Sequence, residues 1–355
     1  MREHAVAVVA GDGIGLEVVP AARQVLDRVA EIHGGFRLTY REFPWSCRYY
    51  LEHGAMMPED GLETLRPFDA IFLGAVGFPG VPDHVSLWGL LLPIRREFRQ
   101  YVNLRPIKLL RGIASPLRDR GPEEIDFLCV RENNEGEYSN MGGRLYRGTP
   151  QELAVQNTVF TRFGVERILH YAFRLARERG RIKRVTAATK SNGINYTMPF
   201  WDEVFEEVAT QYPDVEHDRF HVDALAARFV TDPAHFGVVV ASNLFGDILT
   251  DLGAAIAGSI GVAPSANLNP EGTYPSMFEP VHGSAPDIAG RGVANPIAQV
   301  WSGAMMLDHL GYPEAHGLIV GAIERALLDG IRTRDLGGAA GTVEMTQAIL
   351  DRLEG

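Results

Sequence analysis

The sequence predicts an α/β fold in which helices cover both faces of a wide sheet. Apolar segments with the length of buried strands alternate with amphipathic helical segments along most of the chain. The 355 residues, 46% hydrophobic and 22% charged, are enough to bury the core of such a sheet. The sequence shows no internal repeat and no low-complexity linker, so we expect any two domains to be joined by strand or helix crossings.

The first βα unit lies at the N-terminus. Residues 5–10 read as a buried strand, and Gly11-Asp12-Gly13-Ile14-Gly15 is a turn that opens a helix. The apolar face of this helix consists of Val18, Ala22, Val25 and Val29. Because the turn lacks the third glycine of a dinucleotide fingerprint, we interpret it as a tight turn lining a cleft rather than a pyrophosphate cradle.

The next elements lead to two arginines. We expect strands at residues 36–43 and 69–74, with a short helix at 58–65 between them. The segment 87–98 has a helical pattern, but Pro93 should end or kink it. A strand at 101–106 follows directly, so Arg95 and Arg105 could converge.

The middle of the chain continues the alternation and ends in an acidic helix. The expected strands are 125–130, 184–188 and 216–222, and the expected helices are 161–179, 196–209 and 223–229. The apolar run 236–241 then precedes Asp247 and Asp251, which lie four residues apart on one helical face. Two such carboxylates can hold a hard divalent cation. An isolated pair of this kind is more often a solvated helix face. Other residues of the chain are therefore needed to distinguish a metal site from such a face.

The C-terminal third begins with segments whose sequence predicts neither a helix nor a strand. Residues 258–275, rich in Gly, Pro, Ser and Asn, read as a long functional loop, and residues 278–290 read as irregular. A helix should begin at Asn295, and two more helical stretches should follow at 313–328 and 343–353. The inward face expected for the first of them is Ile297, Val300, Trp301 and Met305.

Charge and composition exclude several classes of protein. The net charge of −11 at pH 7 argues against a nucleic-acid-binding surface. Cys47 and Cys129 are too few and too far apart for a disulfide framework, so a cytoplasmic location is the default expectation. The N-terminus does not read as a signal peptide, and no apolar run approaches the roughly 18 residues of a membrane span.

Polar side chains at or after the expected strands form a set with a joint chemical meaning. The set consists of Arg95, Arg105, Arg131, Tyr138, Lys190, Asp223, Asp247 and Asp251. Taken singly, the arginines read as surface ion pairs, the tyrosine as core and the lysine as solvated. Taken together, guanidinium groups bind carboxylates and carboxylates bind a hard cation. A small hydroxy acid with several negative charges would satisfy both halves.

The order of the motifs resembles the isocitrate/isopropylmalate dehydrogenase family. The motifs are Gly11–Gly15, Asn103–Pro106, Arg131–Asn133, Thr189–Asn192, Asn243–Asp251 and His282–Gly290. The resemblance covers nearly the whole chain. It implies an isopropylmalate dehydrogenase-like fold with two α/β domains, a large central mixed sheet and a cleft between the domains. Residues 1–100 plus 258–355 would form the larger, cofactor-binding domain. Residues 101–257 would form the smaller domain with the substrate and metal residues and the dimer interface.

Three further segments resemble the members of the family that act on tartrate and D-malate. They are Pro44–Cys47, Pro82–Gly89 and Ala263–Pro270. This similarity implies an enzyme that oxidises and decarboxylates small 2-hydroxy dicarboxylic acids, turning D-malate into pyruvate and CO₂. It also implies NAD, Mg²⁺ or Mn²⁺, a homodimer without nucleic-acid or membrane partners, and a monovalent cation such as K⁺.

The same resemblance implies a role for each site residue. Arg95, Arg105 and Arg131 would clamp the substrate carboxylates. Asp247 and Asp251 would hold the metal together with Asp223 from the other subunit. Lys190 would take the hydroxyl proton, with its pKa depressed by neighbouring arginines and the metal, and Tyr138 would protonate the product enol.

The cofactor would lie against a separate set of residues. Asn192 would lie near the nicotinamide, and the adenosine half would contact Glu279, His282, Gly283, Ser284, Ala285, Asp287 and Asn295. A carboxylate at Asp287 can accept hydrogen bonds from the ribose hydroxyls and would repel a 2′-phosphate, so we predict NAD rather than NADP. In similar family members that use NADP, Lys-Tyr stands at the positions of Asp287-Ile288.

Substrate choice is predicted from Trp88. In this family the helix face that meets the C3 substituent includes Trp88, Leu91 and Leu92. A bulky indole should shorten the pocket and favour hydrogen or hydroxyl at C3, as in D-malate or a tartrate. Two other readings remain: a 3-isopropylmalate dehydrogenase of leucine biosynthesis, and a non-catalytic dicarboxylate-binding protein. The latter does not require Lys190 or three aspartates.

Overall fold

A computed structural model describes residues 1–179 and 182–354, and these residues group into two compact units. Unit 1 comprises residues 1–100, 108–122 and 254–355, and unit 2 comprises residues 101–107 and 123–253. The strands in chain order are β1 Arg2–Gly11, β2 Phe36–Glu42, β3 Ala70–Ala75, β4 Val102–Lys108, β5 Asp126–Glu132, β6 Gly142–Leu145, β7 Leu153–Gln156, β8 Arg184–Thr189, β9 Glu216–His221, β10 Val238–Ala241, β11 Pro264–Leu268 and β12 Ser276–Pro280.

The helices follow the predicted alternation. They are α1 Gly15–His33, α2 Cys47–His53, α3 Gly61–Leu65, α4 Asp83–Ser86, α5 Leu92–Glu97, α6 Arg162–Arg179, α7 Thr197–Ala209, α8 Val222–Thr231, α9 Asn243–Ile256, α10 Ile297–His309, α11 Pro313–Leu328 and α12 Thr342–Leu350. A π-helical turn spans Leu87–Leu91, and short 3₁₀ turns span Pro233–His235, Ile260–Val262 and Arg334–Leu336. Within the described part of the chain, no helix is both long and apolar enough to cross a bilayer.

Unit 1 is built on a mixed sheet. Its strands lie in the order β2-β1-β3-β12-β11, with parallel pairs except for the antiparallel pair β11–β12. Helix α1 buries the face predicted for it, and α10 buries every residue from Ile297 to Leu307. These residues explain the α/β class, because strands buried on both faces need an apolar helix on each. The predicted α/β class and the mixed sheet are confirmed.

The segment predicted to be a long loop contains strand β11. The residues of this strand, Pro264 to Leu268, are all buried. Its polar groups have partners within the protein: the Asn267 side chain donates to Glu279 Oε1 at 2.7 Å, and the Ser265 backbone N–H donates to Ser302 Oγ at 3.3 Å. The expectation of a loop over 258–275 was therefore wrong. The composition was misleading because polar residues predict a loop, whereas in a buried strand they can be hydrogen-bonded to distant partners. The irregular stretch expected at 278–290 likewise begins within β12.

Residues 108–122 lie in unit 1, although we expected them in the smaller domain. The Arg111 N–H donates to Glu324 Oε1 at 3.2 Å, and Ser115 Oγ donates to the Ile256 carbonyl at 2.7 Å. Both partners belong to unit 1. Contacts far along the sequence thus assign this segment, and no local pattern could have indicated them. The functions predicted for the two domains remain predictions.

Unit 2 contains a parallel set of strands and a separate hairpin. Strands β5, β10, β8 and β9 lie side by side in that order and are parallel. Strand β10 is buried at all four positions and leads through Ser242 into α9. Strands β6 and β7 form an antiparallel ladder whose eight residues are all exposed. The sequence did not predict this hairpin, because two glycines and four-residue strands give no clear alternation.

The helical segment around Pro93 is continuous rather than broken. The Leu92 N–H donates to the Leu87 carbonyl, five residues earlier, so the turn before Pro93 is wider than an α-turn. Pro93 then occupies the first turn of α5. This position tolerates proline because it needs no backbone donor there. The widened turn carries Trp88, the residue from which substrate choice was predicted.

Candidate active site

The centre of the site in unit 2 is the acidic face of α9. Asp247 and Asp251 lie on consecutive turns, as their spacing predicts. Burial raises the pKa of Asp251 and the negative charge of Asp247 raises it further, while Arg105 and Arg131 oppose both effects. Two carboxylates held together beside cationic groups form a pair of hard oxygen donors. This is the arrangement expected of a divalent metal site.

Arg131 fastens strand β5 to α9. Its Nε and Nη2 donate to Asn243 Oδ1 at 3.0 and 2.7 Å, and its Nη1 donates to Asp247 Oδ1. The side chain is only 3% exposed, whereas that of Asp247 is 38% exposed. The guanidinium is therefore held rigidly, and the carboxylate that it contacts is still open to a ligand.

Arg105 reaches the same carboxylate from strand β4. Its Nη1 donates to Thr250 Oγ1 at 2.6 Å and lies 3.5 Å from Asp247 Oδ1. The two arginines thus place two positive charges beside the acidic helix face, and they are brought together as predicted. Bidentate guanidinium groups in such a position can bind the carboxylates of a small diacid.

Asn243 and Thr250 are site residues that our sequence reasoning missed. They position Arg131 and Arg105, respectively. A usable signal existed, because they lie four residues before and three residues after Asp247 on the same helical face. Inspecting the polar neighbours of the aspartates at helical spacing would have found both.

Tyr138 contacts the oxygen of Asp247 that Arg131 does not. Its hydroxyl donates to Asp247 Oδ2 at 3.2 Å. Burial raises the pKa of Tyr138, and the nearby charge of Asp247 raises it further. The phenol is therefore held in its protonated form next to the carboxylate pair, as a proton donor requires.

Lys190 and Asp223 form a pair of their own. Strands β8 and β9 are parallel with Thr189 opposite His221, so the residues that follow each strand lie side by side. Lys190 Nζ donates to Asp223 Oδ1 at 2.7 Å, and this hydrogen bond is the main cause of a lowered Asp223 pKa. The pair is partly solvated, with side-chain exposures of 31% and 69%. The contact shown for Lys190 is thus a carboxylate, and its predicted arginine neighbours stay a prediction.

One described chain does not assemble the predicted three-carboxylate metal site. Among residues 1–179 and 182–354, no three His, Cys, Asp or Glu side chains converge on a point that could hold a metal. Asp247 and Asp251 come together on α9, while Asp223 lies on the first turn of α8 beside Lys190. The predicted contribution of Asp223 from a second subunit stays a prediction.

Arg95 lies in unit 1 in a buried ion pair. Its Nη2 donates to Glu279 Oε1 at 2.7 Å, and both side chains are 9% exposed. Asn267 donates to the same oxygen at 2.7 Å. Glu279, which we expected against the cofactor, thus serves to neutralise Arg95 and to link α5 with β11 and β12.

The predicted cofactor loop packs against the Gly11–Gly15 turn within unit 1. The Ile14 N–H donates to the Ser284 carbonyl at 2.8 Å, and a Cβ on Gly13 would lie 2.0 Å from that oxygen. Glu17 accepts the N–H groups of Gly290 and Gly292 at 2.6 and 2.9 Å. Glycine is therefore required at position 13, and the turn organises the loop.

A cleft of about 340 Å³ lies beside this loop. Its lining consists of Gly13, Leu16, Glu17, Gly77, Phe78, Pro286, Ala289 and Gly290. Nearby in sequence, His282 is 8% exposed, and its Nε2 is buried with no hydrogen-bond partner among residues 1–179 and 182–354. Burial lowers the pKa of His282, which keeps the ring neutral. A buried, neutral and unpartnered ring nitrogen is suited to a ligand that supplies the missing hydrogen bond.

The other predicted cofactor residues differ in their exposure and in the contacts that they make within the protein. Asp287, Gly283 and Asn192 are exposed, and Ser284 and Ala285 lie in the loop backbone that contacts Gly13. Asn295 is engaged at both ends of its amide: Oδ1 accepts the Ile297 N–H at 3.0 Å, and Nδ2 donates to Asp335 at 3.0 Å. Asn295 therefore holds the first N–H of α10 whether or not it also meets a ligand.

Trp88 is half-buried and stacked under an arginine. The Arg96 guanidinium lies 4.7 Å from the centre of the indole ring. Leu91 is half-buried as well, but Leu92 is 2% exposed and faces the core. Of the three residues predicted to meet the C3 substituent, Trp88 and Leu91 are thus accessible and Leu92 is not.

Comparisons with known proteins find similar proteins over nearly the whole chain. Residues 5–349 match the family model described as isocitrate/isopropylmalate dehydrogenase. A probable tartrate dehydrogenase/decarboxylase of Bacillus subtilis is 57% identical over 354 residues, with 99% of each chain covered. The D-malate dehydrogenase (decarboxylating) of Escherichia coli is 56% identical over 356 residues, with 98% of each covered. The crystal structure of isocitrate dehydrogenase from Methylococcus capsulatus superposes with a TM-score of 0.88 at 34% identity, covering 99% of this chain and 100% of that one.

Proposed function

The chain belongs to the isocitrate/isopropylmalate dehydrogenase family, and from this premise we propose that it oxidises and decarboxylates four-carbon 2-hydroxy dicarboxylic acids, using NAD and a divalent metal. D-malate would give pyruvate and CO₂. The observation that carries the proposal is the cluster in which Arg105, Arg131 and Tyr138 surround the Asp247 carboxylate, one helical turn from Asp251. A cluster of this kind offers both a cation site and a diacid clamp.

The residues present fit a divalent metal ion. Asp247 and Asp251 supply hard oxygens, and the pKa of Asp251 is raised by burial and by its like-charged neighbour. A bound Mg²⁺ or Mn²⁺ would relieve that repulsion. When bound, the metal would lower the pKa of the substrate hydroxyl and stabilise the enolate that develops as CO₂ leaves.

The residues of unit 1 fit a dinucleotide. Gly13 lets the loop at Ser284 approach the first turn closely, and the cleft beside this loop offers space. His282 Nε2, which has no partner among the described residues, offers a hydrogen-bonding group. When bound, NAD would accept the hydride from C2 of the substrate. Asp287 would favour NAD through its exposed carboxylate, for the reason given above.

The protein groups then account for substrate binding and proton transfer. Arg105 and Arg131 would bind the substrate carboxylates, and their contacts to Thr250 and Asn243 fix the positions of their guanidinium groups. Lys190 Nζ would take the hydroxyl proton as C2 is oxidised. The Tyr138 hydroxyl would give a proton to C3 of the enolate after CO₂ leaves. Arg95 was predicted as a third member of this clamp, and within unit 1 its charge is neutralised by Glu279.

A homodimer would complete the site. Lys190 and Asp223 are paired in one chain, so a second subunit that supplies its Asp223 to Asp247 and Asp251 also brings its Lys190. The exposed β6–β7 hairpin supports association: Leu145 lies opposite Leu153 and Gly143 opposite Val155, giving one apolar face in solvent. An isolated two-stranded ladder is marginal in water unless its apolar face is covered.

The decisive experiment is NAD reduction by the purified protein. D-malate, the tartrate isomers, isopropylmalate and isocitrate are each assayed with Mn²⁺ and with EDTA. We expect turnover with D-malate or a tartrate, poor turnover with isopropylmalate, and loss of activity in EDTA. Binding of dicarboxylates without NADH formation from any of them would favour a non-catalytic protein, and full activity in EDTA would contradict the metal requirement.

A further inference from the structure

Residues 132–138, here called the acidic loop, connect β5 to Tyr138 and carry three glutamates. Glu132 Oε2 accepts the N–H groups of Asn134 and Glu135 at 2.9 and 2.6 Å, which closes the loop on itself. Glu135 accepts the N–H and hydroxyl of Thr161 at 2.8 and 2.7 Å. Thr161 directly precedes α6, so this glutamate fastens the loop to the start of that helix.

Glu137 fastens the same loop to the start of α9. Its Oε1 accepts the Ser242 hydroxyl at 2.9 Å, and its Oε2 accepts the Leu244 N–H at 3.0 Å. The first N–H groups of a helix have no partner inside the helix, and a carboxylate is favourable there. Glu137 is therefore a helix cap supplied from a segment more than 100 residues away in sequence.

The cap lies beside the groups assigned to the chemistry. Tyr138 follows Glu137 directly, and its hydroxyl reaches back to Asp247 one turn into α9. The loop is thus attached to α9 by the Glu137 carboxylate at the helix start, by the Glu135 carbonyl, which accepts from Asn243 Nδ2 at 3.3 Å, and by the Tyr138 hydroxyl at Asp247. The Glu137 contact is the one next to Tyr138 in sequence, so it restricts the distance between the phenol and the carboxylate pair most directly.

We infer that Glu137 is a positioning residue for the proposed reaction: by capping α9 it sets the Tyr138 proton donor and the Asp247 carboxylate in fixed relation to each other. This inference rests on the proposed function. Small displacements of a reacting group have large effects on rate, so loss of the cap should act on turnover more than on substrate binding.

The chain offers a matched control. Glu135 lies on the same loop, and its carboxylate makes the same kind of contacts, but to Thr161 at the start of α6, which carries no residue of the site. An alanine variant keeps the Glu135 carbonyl that accepts from Asn243. Glu135→Ala should lower Tm as Glu137→Ala does, by about 2–4 °C, and should leave kcat within about twofold. Glu137→Gln keeps an oxygen for the Leu244 N–H and should retain most of the activity.

The test compares the wild type, Glu137→Ala, Glu137→Gln, Glu135→Ala, Tyr138→Phe and the double variant Glu137→Ala/Tyr138→Phe. We expect Glu137→Ala to lower kcat about tenfold or more with KM changed little, and to weaken Mn²⁺ binding in a direct titration by about threefold or more. At saturating Mn²⁺, the double variant should lose no more activity than Tyr138→Phe alone, since a residue that acts on turnover through another shows no additive effect.

Each contrary result has a distinct meaning. Additive losses in the double variant, or equal losses of kcat in Glu135→Ala and Glu137→Ala, would show that Glu137 only stabilises the loop and would overturn the inference. If the wild type turns over no 2-hydroxy diacid, the proposed function fails. The Mn²⁺ titration then decides separately, and unchanged Mn²⁺ affinity in Glu137→Ala would overturn the positioning role.

Discussion

At the scale of single residues, the site depends on how a few charges are compensated. Asp247 accepts hydrogen bonds from Arg131 and Tyr138 and lies near Arg105, while Arg95 is balanced by Glu279. A buried charge without a partner costs several kcal/mol, so each guanidinium has a fixed acceptor in the protein. These acceptors hold the arginine side chains in place.

Glu132 gives a prediction about pH and stability. Burial raises the pKa of Glu132 to about 7, against the opposing hydrogen bond from Glu135 and the charge of Arg167. The folded protein therefore holds a proton that the unfolded chain releases above about pH 4.5. The free energy of unfolding should fall by about 1–3 kcal/mol as pH rises through this window.

Urea unfolding at several pH values between 4.5 and 8 measures this contribution. Glu132→Gln cannot ionise and keeps an acceptor for the loop N–H groups, so its stability should decline less over the same range. Glu63→Gln, which removes one partner of a surface ion pair, is the control and should follow the wild type. Parallel profiles for Glu132→Gln and the wild type would contradict the raised pKa.

Asp287 gives a prediction about cofactor choice. Its carboxylate is exposed at the predicted ribose site, so Asp287→Asn should remove the repulsion of a 2′-phosphate. The ratio of kcat/KM with NADP to that with NAD should rise about tenfold, and further in Asp287→Lys/Ile288→Tyr. Steady-state kinetics with both cofactors measure the ratio. An unchanged ratio in both variants would show that Asp287 does not face the ribose.

At the scale of elements, strand ends and helix starts place the chemical groups. Arg131 lies next to the last residue of β5, Lys190 directly follows β8, and Asp223 is the second residue of α8. These positions could be read from the apolar runs alone. The short helix α2 could not be predicted in this way, because its seven residues bury only Cys47. Its start is nevertheless capped by Ser46, which accepts the Tyr49 N–H at 3.1 Å.

The π-turn at Leu87–Leu91 gives a prediction about substrate size. It carries Trp88 half-buried beneath Arg96, and the indole should limit the room at C3. Trp88→Ala should raise kcat/KM for isopropylmalate relative to D-malate by about 10–100-fold, the range that apolar pocket contacts usually give. Trp88→Phe keeps an aromatic ring and should retain most of the wild-type preference. No change in the ratio for Trp88→Ala would remove Trp88 from the substrate pocket.

At the scale of the whole molecule, the separation of the carboxylates leads to a test of the homodimer. Asp223→Asn and Asp247→Asn should each abolish activity. If a site takes Asp223 from one subunit and Asp247 from the other, mixed dimers of the two variants contain one intact site. Random exchange should restore about a quarter of the wild-type activity.

The control for this mixture pairs two variants of the same helix face. Asp247→Asn mixed with Asp251→Asn leaves no intact site in any dimer and should stay inactive. Sedimentation analysis checks that dimers form in both mixtures. Absence of recovery with the first pair, despite mixed dimers, would show that the two halves of the site do not meet across a dimer interface.

The sequence by itself determined the α/β class, the family and the residues of the acidic helix face. Apolar runs and helical periodicity are local properties, and the six motifs stand in a fixed order, so neither requires knowledge of distant contacts. The inward face of α1 and the four-residue spacing of Asp247 and Asp251 were correct for this reason.

Only the tertiary structure decided which partners those residues have. Arg95 meets Glu279 across 184 positions, and Glu137 meets Ser242 across 105. The same limit hid strand β11, because the buried Asn267 side chain and Ser265 N–H find their partners, Glu279 and Ser302, on other elements. A pair so far apart in sequence leaves no periodic trace along the chain, because it forms only when the packing of the core brings the two segments together.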